Sequence, residues 1–210
     1  HFDFQIPLWY EKEKLNFATG ALYSCSLCDI TPDGAVYGAG MTLRKEIYSN
    51  LFSKNWQPFL TGRIGKTQMG GEDSELTFAA RLLGYKIYYS NEISTRHWIQ
   101  EDRLTWNRLK AMTAGFGAAD VYTLPYQILY AEQKGKRNLL LNLRKKWWFN
   151  YFGKKLMLLI KDPFPNRNIE EYHPKTLLRI RIESFCEFIY NNKNDFESSF
   201  KLIENTILKP

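Results

Sequence analysis

Apolar positions along this chain recur at two rhythms, and the change from one to the other divides it. From residue 21 to 43 the texture is extended. ALYSCSLCDI (Ala21–Ile30) reads as a strand, TPDG (Thr31–Gly34) as a turn on its Pro-Asp-Gly content, and AVYGAGMTL (Ala35–Leu43) as a second extended run. Gly38 and Gly40 in that run permit close backbone approach. RKEIYSNLFS (Arg44–Ser53) then looks helical, and NWQPFLTGRIGKTQMGG (Asn55–Gly71) is a glycine-rich connection. After Asp73, Leu76, Ala79, Ala80 and Leu83 recur at helical spacing, and Gly84 supplies the stop. KIYYS (Lys86–Ser90) predicts a short strand, and a further helix is expected from Glu101 to about Gly115.

Beyond Leu124 the strand signals vanish. Leu177, Leu178, Ile182, Phe185 and Ile189 form a helical stripe within Pro174–Tyr190, and Phe196, Phe200, Ile203 and Ile207 form another within Phe196–Leu208. KDPFPNRN (Lys161–Asn168) reads as a linker between helices. The expected organisation is therefore a mixed α/β region over residues 1–124 and an α-helical extension over 125–210.

Composition narrows this only a little. With 44% hydrophobic and 16% aromatic residues in 210, the chain can bury one sizeable core. No segment offers the roughly 18 uncharged apolar residues that a membrane span needs, and the opening HFDFQIPLWYEKEK lacks the layout of a signal peptide. Three cysteines argue against a disulfide framework and suit a reducing compartment. Cys25 and Cys28 make one CxxC, but no second pair completes a structural zinc site, and alternation along a strand accounts for the spacing.

The net charge of +7 is unevenly spread: Arg137–Lys161 carries Arg137, Arg144, Lys145, Lys146, Lys154, Lys155 and Lys161 and no acid. RKKWWFNYFGKK (Arg144–Lys155) interleaves these cations with aromatics. It reads either as an interfacial segment for anionic lipid or as a helix with packed aromatics and a solvated basic face. No recognised nucleic-acid motif accompanies it, and its cations sit in one segment, so nucleic acid is not expected as a partner.

The candidate chemistry lies in MGGEDSE (Met69–Glu75), where two glycines run into adjacent acids at a helix start. Two readings stand. Asp is a favoured cap and Glu suits a first turn. Equally, a carboxylate held ionised by the helix N-terminus can accept a proton from a substrate hydroxyl. His97 stands either as a ligand to metal or diphosphate or as a histidine packed beside Trp98. Arg103 stands either as a diphosphate contact or as a solvated first-turn residue. Trp9, Tyr37, Trp56 and Trp98 are aromatic faces on which a sugar could stack, with core packing the alternative for each.

The ordered series GAGMTLRKEIY, GGEDSELTFAARLLGYKIYYS, RHW and DRLTW, preceded by IPLWYEKEKLNFATG, resembles the C-terminal, acceptor-side half of family 2 glycosyltransferases of the GT-A fold, in a bacterial branch. The resemblance covers roughly residues 5–120. It implies an α/β acceptor-side half followed by the helical extension. Asp73 would be the catalytic base, with Glu72 orienting the site. Gly38, Ala39, Gly40, Gly71, Trp98 and Arg103 would contact acceptor or donor, and His97 would contact the metal. Glu75 is expected in the helix first turn. The Gln100-x-x-Arg103 pair has Trp106 displaced by two residues from the pattern of processive members, which argues against a polymer synthase.

The implied activity is inverting transfer of a sugar from a nucleotide-sugar donor to a glycan or lipid-linked acceptor, in bacterial surface polysaccharide synthesis. The implied cofactor is a divalent Mg or Mn ion. The implied location is cytoplasmic, at the inner membrane face if residues 144–155 make peripheral membrane contact. The family's donor half, with its D-x-D motif, has no counterpart in these residues. Negligible transfer is therefore expected from the 210 residues alone. The competing expectation is a non-catalytic carbohydrate- or protein-binding module.

Overall fold

In the computed structural model, which describes residues 4–32, 34–62, 69–163 and 172–209, helices dominate. A short α1 (Tyr10–Glu13) runs into a 3₁₀ turn at Lys14–Phe17. The only described sheet is one antiparallel pair, β1 (Cys28–Asp29) with β2 (Tyr88–Tyr89), in which Cys28 faces Tyr89 and Asp29 faces Tyr88. Between them lie α2 (Lys45–Ser53) and α3 (Glu72–Leu82). Then follow α4 (Trp106–Gln133), α5 (Leu139–Arg144), α6 (Trp147–Lys161), α7 (Pro174–Asn191) and α8 (Lys193–Ile203), the last passing into a π turn at Glu204–Leu208.

The α/β expectation for residues 1–124 is met only coarsely. Ala21–Ile30 contributes two paired residues instead of a full strand, and Ala35–Leu43 contributes none. Strand pattern becomes sheet only where a neighbour supplies the ladder, and β2 is itself two residues long. Strand alternation therefore does not explain the CxxC. Cys25 lies outside β1, and its sulfur is joined to that of Cys28 as a disulfide. The glycine-rich stretch 63–68, Asp33 of the expected turn and residues 164–168 of the expected linker lie outside the described residues.

The helix expected to stop near Gly115 continues instead to Gln133, across Leu124 and through Pro125. Its glycines, Gly115 and Gly117, are both buried, and Gly117 packs against α7. A Cβ on Gly117 would overlap the carbonyl oxygen of Arg181 and lie 3.1 Å from the Ser184 Cβ. The absent methyl lets the two backbones approach, which offsets the poor helix propensity of glycine. Ser184 then donates to the Ala114 carbonyl at 2.7 Å, and Arg181 grips Asp120 with two bonds of 2.8 and 2.9 Å.

The two C-terminal stripes pack as their spacing predicts. Leu177, Ile182, Phe185 and Ile189 of α7, and Phe196, Phe200, Ile203 and Ile207 at the C-terminus, are all buried. One apolar core joins Ile47 and Leu51 of α2, Leu76, Phe78 and Ala79 of α3, Val121 and Ile128 of α4, and these C-terminal residues. A second cluster ties Tyr10 and Phe17 to Ile99, Leu104, Leu109, Met112 and Leu177. Trp9 belongs there, stacked between Phe17 at 6.1 Å and Tyr172 at 6.3 Å, as a packing residue.

Candidate functional site

The start of α3 is set by Gly71, not by an acid. Gly71 occupies the N-cap with φ of 116°, a left-handed conformation that side-chain-bearing residues rarely adopt. A Cβ there would also press on Leu60 at 3.2 Å. Glu72 and Asp73 thus fall inside the first helical turn, with Asp73 two places beyond the cap position. Both still satisfy free amides. Glu72 Oε2 accepts from the Gly71 N–H at 2.9 Å, and Asp73 Oδ1 accepts from the Ser74 N–H at 2.7 Å.

The second oxygen of Asp73 does something that capping does not explain. Oδ2 accepts from the Gly38 N–H at 2.6 Å, pinning the Ala35–Leu43 segment across the helix start. Gly38 sits so close that its missing side chain would lie 3.4 Å from that carboxylate. The half-buried Asp73 faces a cleft of about 490 Å³ together with Gly71, Glu72, His97 and Arg103. Glu72 and His97 are exposed, so the carboxylate pair looks onto an open groove.

The structure therefore gathers Asp73, Glu72, Gly71, His97 and Arg103 in one cleft, with Gly38 bonded to it through Asp73. Ala39 and Gly40 line a separate cavity of about 640 Å³ bordered by Met41, Ile87 and Tyr89. Tyr37 stands between the two and lines both. Its buried hydroxyl has no hydrogen-bond partner among the described residues, and burial pushes the phenol up to about 12, with Tyr89 adding to the effect. Trp98 lines neither cavity and is 76% exposed. His97 does not pack beside it in a core; both lie on the surface. Trp56 is a bonded scaffold residue, its indole N–H donating to the Tyr126 hydroxyl at 2.9 Å.

Sequence reasoning missed two sets of residues. The first is the far wall of the cleft, made by Asp120 and Gln127 of α4 and Arg181 of α7. Asp120 and Arg181 are far apart in the chain and belong to no motif; only the close approach at Gly117 joins them. The second is Glu75. It stands in the first turn of α3, as expected, but it is fully buried, which the sequence did not signal. Its Oε1 accepts from the Phe59 N–H and the Tyr126 hydroxyl, each at 2.8 Å, and its Oε2 from the Leu60 N–H at 2.7 Å. Burial raises its pKa, while the three hydrogen bonds act in the opposite sense. Glu75 thereby fixes the backbone leading toward Gly62, whose own Cβ position lies 3.4 Å from Glu72.

No three His, Cys, Asp or Glu side chains among the described residues come close enough together to hold a metal ion. His97 could supply one ligand, but the described residues do not of themselves make the divalent site that the family resemblance implies. Compared with protein-family models, with curated proteins and with solved structures, the chain matches none.

Proposed function

We propose that this chain forms the acceptor side of an inverting glycosyltransferase, with Asp73 as the proton acceptor. The observation that supports it is the Asp73 carboxylate itself, half-buried, fixed by two backbone amides and open to the cleft. Oδ2 has an acceptor position left after its bond from Gly38, whereas Oδ1 accepts from both the amide and the hydroxyl of Ser74. A substrate hydroxyl in the cleft gives its proton to Asp73 while its oxygen attacks the anomeric carbon of a nucleotide sugar. The bond from that carbon to the phosphate oxygen breaks, the nucleoside diphosphate leaves with the electron pair, and the configuration inverts. Fixing the carboxylate beforehand supplies orientation. Glu72 retains Oε1 for an acceptor hydroxyl, and the Arg103 and His97 side chains offer positive or donor character for the diphosphate. A divalent ion on that diphosphate would need ligands beyond His97.

The test is Asp73→Asn in a protein that couples this chain to a donor-binding region. The amide keeps the size and one acceptor oxygen, so the fold and acceptor binding should survive. Transfer should fall by about 10²–10⁴-fold, the usual contribution of a positioned base. Undiminished transfer would remove Asp73 from the chemistry. A chain that binds oligosaccharide in ligand-observed NMR but shows no Asp73-dependent transfer would be a binding module instead.

A further inference from the structure

Helix α6 is apolar on the wrong side. Trp147, Tyr151 and Leu158 turn toward the core formed with α7. Trp148, Phe152, Leu156, Leu159 and Ile160 turn the other way, between 42% and 72% exposed. At 100° per residue these five fall within one arc of about 120°. Within that arc the other residues are the half-buried Phe149 and, just past its edge, Gly153. The outward stripe thus contains no polar side chain with which to satisfy a specific hydrogen bond. Exposed Lys155 borders it and exposed Lys161 lies at the helix end, neither ion-paired among the described residues. The segment from Arg137 to Lys161 contains no acid at all. A contiguous exposed apolar stripe of this kind marks an interaction surface.

We propose that the outward face of α6 docks on an anionic lipid surface, lying in the headgroup plane. This inference is independent of the transferase reading. Length excludes spanning: 15 residues of α-helix reach about 22 Å, short of the roughly 30 Å hydrocarbon core. No described helix is long and apolar enough to cross a membrane. A smooth stripe with a large aromatic near its start and the cation Lys155 at its border has the amphipathic layout of interfacial helices. A second copy fits less well, because an antiparallel isologous contact through this stripe would bring Lys155, near the middle of α6, close to its own counterpart. Of the aromatics in Arg144–Lys155, Trp147 and Tyr151 pack toward the core, whereas Trp148 and Phe152 are exposed.

The experiment is flotation of the chain with vesicles of phosphatidylcholine alone and of phosphatidylcholine with about one quarter phosphatidylglycerol. The wild type should bind the anionic vesicles at least 10-fold more than the neutral ones, and the binding should weaken in 0.5 M salt. Phe152→Glu/Leu159→Glu should lose binding with an unchanged circular-dichroism melt, because both side chains are exposed. Lys155→Glu/Lys161→Glu, which leaves the apolar stripe intact, should lose most of the preference for anionic lipid. No flotation with anionic vesicles would overturn the proposal, as would equal binding to neutral ones or binding that neither double variant reduces. A wild-type dimer in light scattering that Phe152→Glu/Leu159→Glu dissociates, without vesicle binding, would assign the face to a second copy instead. Saturable binding to an acidic protein with none to lipid would assign it to such a partner.

Discussion

Replacing Glu75 by glutamine changes one atom in a fully buried carboxyl and should be costly in a way that depends on pH. Three donors converge on Glu75: the Phe59 and Leu60 amides and the Tyr126 hydroxyl. An amide side chain has one acceptor oxygen, which can serve two donors at most, and its NH₂ must then face the third. One buried donor left unmet costs about 1–3 kcal/mol. The pH dependence follows from burial, which holds the Glu75 pKa above the ordinary carboxylate value. Between its unfolded and folded pKa values the native state retains a proton that the unfolded chain has released. Wild-type stability is therefore greatest below the unfolded value. It declines as pH rises, by up to about 1.4 kcal/mol per unit, and levels once the folded pKa is passed. Glutamine does not titrate. The advantage of wild type over Glu75→Gln should thus be largest near pH 4 and shrink toward neutrality. Urea unfolding followed by circular dichroism from pH 4 to 8 on both proteins, subtracted at each pH, measures it. A difference that widens with pH would mean that the three donors outweigh burial and that the group is ionised in the fold, refuting the argument.

Two further substitutions probe the scaffold that holds the cleft. Gly117→Ala drives a methyl into the Arg181 carbonyl of α7, so the usual gain of about 1 kcal/mol for Gly→Ala in a helix should be reversed to a net loss of about 2 kcal/mol; a stability increase in urea titration would show that the helices part freely. Asp162→Ala removes the buried carboxylate that Arg179 grips at 2.8 and 3.0 Å beyond the end of α6, and about 2–4 kcal/mol should be lost in the same assay, whereas replacement of the exposed Glu11, which pairs with Lys14, should cost under about 1 kcal/mol.

How much of this was readable in advance depended on whether the signal was local. The α3 helix, its glycine stop and the stripes of α7 and α8 were legible because apolar spacing of 3.6 residues and a nearby breaker specify them without help from the rest of the chain. The strands were overread, because a strand's extent is set by its partner and only Tyr88–Tyr89 pairs with the Cys28 segment. The continuation of α4 past Gly115 was hidden because tertiary contact with α7, not propensity, holds Gly117 helical. At the cleft, the carboxylate pair announced itself by adjacency after two glycines, and His97 and Arg103 by the family's order of motifs. Asp120, Gln127 and Arg181 could not be found this way, since they meet only after α4 and α7 cross. Glu75 was placed correctly in the first turn, but its burial was not legible, because first-turn position does not say which side of the helix faces the core.

The opening of the cleft is gauged at a single place on α4. Gly117 sets the stand-off to α7, and two residues on, Ala119 lies 3.5 Å from where a Gly71 side chain would project, setting the stand-off to the start of α3. Both jaws therefore close on one rigid helix, like a caliper with its two stops cut side by side. A methyl added at residue 117 would press on the Arg181 backbone, and a change of one methyl at residue 119 would act on the start of α3; either would reset the gap between Asp73 and Arg181. Acceptance of bulkier or slimmer molecules is tunable there, at positions that carry no polar or charged group into the groove.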